Sequence, residues 1–324
     1  MSMLVKSKKS SSSGKRPEDR SVDELIHDGV VVVDKPAGPT SHQVTSWVCD
    51  IFGSNKAAHG GTLDPRVTGV LPVGLGASVR AMDALHYGTK AYVGVMRMHG
   101  NADRKRLEDI AKEFTDEVYQ TPPMRSAVKR ETRMRRIHTL TILEMSGRDV
   151  LFKVDCDAGT YIRSLCVDIG DALAMGAHLQ DLRRTRAGII TEDQAVSLHD
   201  IKDAVEEHKA GNSNHLRKMM HPKEVLLAQI PKVEIKDSAV DAICHGANLA
   251  VPGVVAIEDS VGKGDLVAIM TLSGEGVGLG HALMTADEIV KRQEGFAIDI
   301  SRVLMPAGTY ASVWGGSKQS DQQK

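Results

Sequence analysis

The sequence holds no CxxC pair, no HExxH motif and no His/Cys cluster at ligand spacing, which excludes the familiar zinc patterns and leaves no metal to be expected. Its cysteines, Cys49, Cys156, Cys166 and Cys244, stand far apart among apolar neighbours and read as small hydrophobes in a reducing compartment. No window approaches the unbroken apolar run that crosses a bilayer. The N-terminus, MSMLVKSKKSSSSGKRPEDR, lacks the apolar middle of a secretory signal. A soluble, cytoplasmic chain with no membrane partner is expected. There is no repeat of fixed period and no nucleotide-binding glycine loop, so neither a repeat architecture nor a cofactor is expected.

What is present begins with length: 324 residues suggest two domains. A formal net charge of −1 argues on its face against a nucleic-acid partner. The distribution argues the other way. PPMRSAVKRETRMRRIH carries Arg125, Lys129, Arg130, Arg133, Arg135 and Arg136 against Glu131 alone, and LRRTRAG adds Arg183, Arg184 and Arg186. Such clusters are the electrostatic footprint of a phosphate backbone, with Arg125, Lys129, Arg130, Arg133 and Arg184 as candidate contacts. The polar N-terminal residues 1–24 read as a flexible tail.

Val30 to Val33 form a strand that runs into a turn at Asp-Lys-Pro. Ser41 is placed to cap the next helix, on which Val44, Trp47, Val48 and Ile51 recur at helical spacing until Gly53. Further strands are expected over 90–98, 137–145 and 150–156. Ile162, Leu165, Cys166, Ile169 and Leu173 make an apolar helical stripe, with Arg163 beside it near the helix start and facing a cleft. Residues 205–222 read as a polar excursion. From about Ile230 the texture changes to short strands (VVAI, DLVAIM, GVGLGHAL) with Gly turns and two small helices, one capped by Asp237 and one opened by the TADE capping box. Strands and helices without βαβα alternation predict an α+β fold, with a small β-barrel at the C-terminal end.

AHGGTLDPRVTGVLPV raises a specific question, because one carboxylate, Asp64, sits in a Gly- and Pro-rich loop flanked by little that could neutralise it. Asp-Pro suits the first positions of a type I turn, so Asp64 has a bland reading as a turn residue and a sharp one as a catalytic group.

Together these segments resemble a known family. HGGTLDPRVTGVLP resembles the active-site motif of the pseudouridine synthases related to the bacterial tRNA T-loop enzyme. VVVDKPAGPTSHQV, GTKAYVGVMRMHG and GTYIRSLCVDIG look like that family's other motifs, in the same order. YQTPPMRSAVKR and AHLQDLRRTRAG are similar to the archaeal and eukaryotic box H/ACA branch, and CHGANLAVPGVVAI through MPAGTY resembles its PUA domain. The resemblance implies a mixed, largely antiparallel sheet flanked by helices in a catalytic domain over 25–229, a PUA domain over 230–308 and a tail over 309–324. A short N-terminal tail without a long Lys-rich C-terminal extension looks archaeal.

By the same resemblance Asp64 is the catalytic aspartate and Arg163 the arginine that orients it. Tyr92 would stack on the target base, with Tyr161 and Leu182 lining the pocket, His59 touching RNA around the extruded nucleotide and Lys35 supporting the pocket. The implied reaction isomerises uridine without redox change or supplied group, so no cofactor is needed. The implied partners are a box H/ACA guide RNA, rRNA substrate, small Gar- and Nop-type proteins, and a kink-turn-binding ribosomal-protein relative that joins through the guide RNA. A guide-independent tRNA T-loop synthase is the alternative enzyme, and an inactive RNA-binding scaffold the alternative class. Two positions depart from the family pattern: Asp116, where Gly is usual, and Ala311, where Pro is usual.

Overall fold

The computed structural model describes residues 2–8, 13–122, 129 and 131–312. They form two compact units, one made of Val31–Val73 with Leu85–Met219, the other of 1–30, Gly74–Ala84 and Met220 onward.

The first unit is built on a twisted mixed sheet. Its strands run in the order Gly29–Lys35, Thr68–Leu75, Ala177–Ala187, Lys90–Met98, Asp149–Cys156, Arg133–Ser146 and Asp116–Gln120. The pair formed by Thr68–Leu75 and Ala177–Ala187 is parallel, and from Ala177–Ala187 outward every pairing is antiparallel. Helix Ser41–Phe52 follows the first strand, and Gly53 ends it in the left-handed conformation. Its cap is Thr40, one residue earlier than expected, because Thr40 and Gln43 satisfy each other's backbone in a capping box. Ser41 is thereby freed for a different use. Helix Ile162–Ala172 buries Ile162, Leu165, Cys166 and Ile169, the expected stripe. Residues 205–222 are not an excursion: Leu198–Lys209 and Asn214–Met219 are helices, the first capped by Ser197. Ile201, Ala204, Val205 and Leu216 give them a buried face that the surrounding polar residues obscure in the sequence.

The second unit closes around a seven-stranded sheet in the order Met3–Val5, Val254–Glu258, Lys232–Ile235, Leu266–Thr271, Gly276–Ala282, Phe296–Val303 and Leu249–Ala250. Val233, Ile257, Ile269, Val277 and Ile298 are fully buried in its core. The Thr285–Glu288 capping box opens helix Ala286–Lys291 as expected. Asp237 is the first residue of helix Asp237–Cys244, not its cap, which is Lys236 with no side-chain bond.

Both terminal segments correct the sequence reading. The described residues of the expected flexible tail over 1–24 are built into the fold: Met3, Leu4 and Val5 pair antiparallel with Glu258, Ile257 and Ala256. Lys6 donates to the Val290 carbonyl at 3.2 Å, and Arg20 grips Glu224 through two bonds of 2.7 and 2.8 Å. Three apolar residues suffice to add an edge strand, a signal hidden by the Ser/Lys run beside them. At the other end the expected tail over 309–324 includes Tyr310, which is 4% exposed and donates its hydroxyl to Glu275 at 2.6 Å.

Asp116 lies where the family pattern has glycine, and its φ is +122°, a region that L side chains rarely adopt. The strain there is on the order of 1–3 kcal/mol, and an exposed ion pair with Arg136 at 3.0 Å offsets little of it.

Two stability predictions follow from these placements. Asp116→Gly raises the unfolding midpoint by about 2–4 °C in a thermal melt, the shift for about 1 kcal/mol in a unit of this size; a lower midpoint would mean the ion pair outweighs the strain. Removal of residues 1–8 lowers the midpoint of the unit that holds the seven-stranded sheet by at least ~3 °C, and an unchanged midpoint would show that the edge strand adds nothing.

Candidate active site

Loop 60–67 carries Asp64, and its backbone first answers the turn question. Val67 N–H donates to the Asp64 carbonyl at 3.0 Å, so Asp64-Pro65-Arg66-Val67 is the turn that Asp-Pro favours. The side chain is not used in that turn. Arg163 Nε stands 3.1 Å from Asp64 Oδ2, bringing together two residues that lie far apart in the chain. Both side chains keep access to solvent, 43% exposed for Arg163 and 45% for Asp64.

The loop is held from below. Lys35 is fully buried and its ammonium donates to the carbonyls of Pro36, Pro65 and Val67 at 2.9, 3.0 and 2.9 Å. Burial pushes its pKa down, and the Asp64 carboxylate pulls it back up. Ser41 Oγ donates to the Leu63 carbonyl at 3.0 Å and accepts the Leu63 N–H at 2.8 Å. Gly38 N–H donates to the Pro65 carbonyl at 2.8 Å. Arg184, 2% exposed, donates through Nε to the Val70 carbonyl at 2.8 Å and through Nη2 to the Gly61 carbonyl at 3.2 Å. Gly69, with φ +98°, lets this approach happen, since a Cβ there would run into the Arg184 carbonyl.

Tyr92 pairs in register with Arg184 across the sheet, and Gly94 with Leu182. Burial raises the Tyr92 pKa, and the Arg184 charge opposes the rise. Leu182 is buried, and its Cδ1 together with Phe152 Cζ would lie only 2.9 Å from a Cβ at Gly94. Tyr161 is the residue before helix Ile162–Ala172. Its backbone is clamped by Gln120, which accepts its N–H at 2.8 Å and donates to its carbonyl at 3.1 Å. That clamp fixes the helix start from which Arg163 projects. His59 packs edge-on against His42, with ring centroids 4.9 Å apart, and neither buried ring nitrogen of His59 has a hydrogen-bond partner. Burial, then His42 and Arg184, hold the His59 pKa below its ordinary value.

The structure therefore brings Asp64 and Arg163 into contact and places Tyr92, Leu182 and Arg184 on neighbouring positions of one strand pair. Lys35, expected to support the pocket, is sealed beneath the loop and holds it from there. One role is corrected. Arg184 is not a phosphate contact, because its guanidinium is buried on carbonyls.

The expected basic clusters also change character. Arg183 pairs with Asp34 and Glu192 at 2.9 and 3.0 Å, and Arg186 with Asp155. Lys129 pairs with Glu131, and Arg133 approaches the same carboxylate at 3.9 Å. Arg125 and Arg130 lie outside the described residues. Sequence reasoning missed the roles of Ser41 and Gln120. Neither residue type nor spacing signals them, since each acts on a backbone segment distant in sequence. Among the described residues no group of three or more His, Cys, Asp or Glu could hold a metal, and no helix is long and apolar enough to cross a membrane.

Comparison with known proteins extends this geometry. The N-terminal domain of the TruB family of pseudouridylate synthases matches residues 50–105 and 99–162. The C-terminal domain of tRNA pseudouridylate synthase B matches 163–228, the PUA domain 231–304, and the DKCLD domain 1–45. The chain is 53% identical over 300 residues to a probable tRNA pseudouridine synthase B of Methanopyrus kandleri, covering 92% of this chain and 89% of that one. It is 48% identical to the protein of the same name from Methanocaldococcus jannaschii, covering 93% and 90%. A crystal structure of a Cbf5-Nop10-Gar1 complex contains a chain that superposes with a TM-score of 0.90 at 46% identity, over 94% of both chains. An H/ACA RNP bound to a substrate RNA containing 2′-deoxyuridine gives a TM-score of 0.90 at 42% identity over 97% of both.

Replacing Lys35 by Met removes the ammonium from the Pro36 and Val67 carbonyls and leaves the Pro65 carbonyl only its bond from Gly38 N–H, so unfolding in urea should reveal a loss of at least ~2 kcal/mol. A variant within about 0.5 kcal/mol of the parent would show that these bonds do not hold the loop.

Proposed function

The chain belongs to the TruB family of pseudouridylate synthases and carries a PUA domain, and on that premise we propose that it isomerises uridine in rRNA at positions chosen by a box H/ACA guide RNA. The observation that carries the reading is the 3.1 Å contact between Asp64 and Arg163 on a loop with a fixed backbone. The reaction breaks the bond from ribose C1′ to uracil N1, turns the base, and rejoins it through C5; the proton displaced from C5 leaves and N1 gains one. Asp64 acts on the ribose, either as the nucleophile at C1′ or as the base that takes a ribose proton. Both roles need an ionised carboxylate aimed at one place. A guanidinium 3.1 Å away holds its direction.

The half-exposed carboxylate in the free chain gives substrate RNA a part in completing the site. An extruded uridine covers the Asp64–Arg163 pair, and Tyr92 stacks on its base, returning about 1–3 kcal/mol against the few kcal/mol of unstacking. Tyr161, Leu182 and His59 border the same nucleotide. Lys129 and Arg133 are held by an exposed Glu131; such pairs are weak enough to exchange for phosphates. Superposition over nearly the whole chain on subunits of H/ACA complexes supports guided action, with small Nop- and Gar-type partners on this chain. A kink-turn-binding protein would join through the guide RNA.

A second reading has its own support, since the similar curated proteins are named for tRNA. Guide-independent action on the tRNA T-loop is separated from guided action by assaying the chain alone on tRNA transcripts and with a guide on rRNA fragments. The inactive scaffold is disfavoured because Asp64 and Arg163 are both present and in contact.

Asp64→Asn is nearly isosteric and removes only the carboxylate charge. It should abolish tritium release from 5-tritiated uridine in substrate RNA, while guide RNA affinity stays within about threefold of the parent. Robust release by the variant would remove Asp64 from the chemistry.

A further inference from the structure

Loop 157–161 leads into the helix that carries Arg163, and it hangs from the strands Asp116–Gln120 and Arg133–Ser146. The Arg136 carbonyl accepts the Asp157 N–H at 2.9 Å, and the Arg136 N–H donates to Asp157 Oδ2 at 3.0 Å. The Arg135 guanidinium lies over Gly159, where a Cβ would meet it at 3.2 Å. Gln120, 4% exposed, makes the last attachment. Its amide oxygen accepts the Tyr161 N–H and its amide nitrogen donates to the Tyr161 carbonyl. That same carbonyl accepts the first bond of the helix, from Leu165 N–H at 3.1 Å. Gln120 also ends its strand. It pairs with Arg133, and next to them the Thr121 and Thr132 hydroxyls join at 2.9 Å. The two ends of the basic segment that carries Arg125, Lys129 and Arg130 therefore meet at this neck.

We propose that Gln120 is a positioning residue that ties the Arg163 helix to the neck of the basic segment and thereby sets the reach of Arg163 to Asp64. A carboxamide carries a donor and an acceptor side by side, so it can hold the N–H and the C=O of one residue at once. The contact with Asp64 is made through Arg163 Nε, nearer the backbone than the terminal nitrogens. Little of the side chain is left to absorb a shift of the helix start. A movement of the neck is therefore passed to Arg163 through one buried side chain. The inference rests on the reading that the Asp64–Arg163 pair acts on uridine.

The test uses the full chain assembled with guide and substrate RNA, and compares the parent with Gln120→Ala, Gln120→Glu, Arg163→Lys and the double variant Gln120→Ala, Arg163→Lys. Single-turnover pseudouridine formation is followed for long enough that slow variants remain readable, and substrate affinity and urea unfolding are measured for each. Gln120→Ala should slow the single-turnover step by about 10- to 100-fold, the effect of misplacing a reacting group by about an ångström, with substrate affinity within about threefold of the parent. Gln120→Glu keeps the acceptor for the Tyr161 N–H but, ionised, has no donor for the carbonyl. It should slow the step by at least ~3-fold, and by less than Gln120→Ala does. In the Arg163→Lys background the Gln120→Ala change should cost no more than about threefold, because the group that Gln120 positions is already gone. A folded Gln120→Ala protein with the parent's rate overturns the proposal. An equal loss in the two backgrounds overturns it too, since Gln120 would then act on the fold at large and not through Arg163. If Gln120→Ala does not fold, Gln120→Glu decides, and a rate within about twofold of the parent overturns the proposal. A parent that forms no pseudouridine defeats the functional reading itself, whereas an active parent with an unaltered Gln120→Ala defeats this inference alone.

Discussion

Two buried cations anchor the loop on which the chemistry depends. Lys35 and Arg184 approach loop 60–67 and the start of the strand after it from different elements, and neither is exposed to solvent by more than a trace. A charge in that position is costly unless its donors are filled, and here backbone carbonyls fill them. The exchange works in both directions. The carbonyls of a Gly- and Pro-rich loop have few neighbours of their own to bond, and the cations supply donors that no helix or sheet provides there. With the backbone pinned, the Asp64 side chain is free to meet Arg163 rather than to stabilise its own turn.

This division explains what was legible in the sequence. The strand over Gly29–Lys35, the apolar stripe of Ile162–Ala172 and the short strands near the C-terminus declare themselves by periodicity, because burial of one face is a local property of the pattern. Asp64 and Arg163 were found through motif order; nothing in their spacing says that they touch. Arg184 was assigned a surface it does not have. An arginine in a basic run looks solvated, and only tertiary packing shows that carbonyls from elsewhere enclose it. Ser41 was misread for the same reason: as Oγ donor and acceptor to Leu63 it serves a loop distant in sequence, while its neighbour Thr40 takes the local cap.

The terminal segments teach a related lesson about composition. MLV followed by a Ser/Lys run has too little apolar material to fold alone, which is a correct statement about an isolated peptide. It does not apply when a sheet edge already waits. Pairing with Val254–Glu258 needs backbone groups and one face, not a core of its own, so three residues are enough. Asp116 is the opposite case. There a single departure from the family pattern did locate a backbone singularity, because a φ of +122° is a demand that glycine meets and aspartate does not.

The balance of charge around the site follows from its task. RNA brings phosphates, which draw to themselves any cation that they can reach. Exposed cations are poor anchors beside it, since phosphates can pair with them and cancel their effect. Arg183 and Arg186 illustrate a further loss, being already committed to Asp34, Glu192 and Asp155. Lys35 and Arg184 are exempt on both counts: they hold carbonyls, which carry no net charge, and solvent-borne anions cannot reach them. Their positive potential therefore persists when RNA arrives. An overall charge of −1 conceals this arrangement, because what holds the backbone around Asp64 is where the cations are buried, not how many the chain contains.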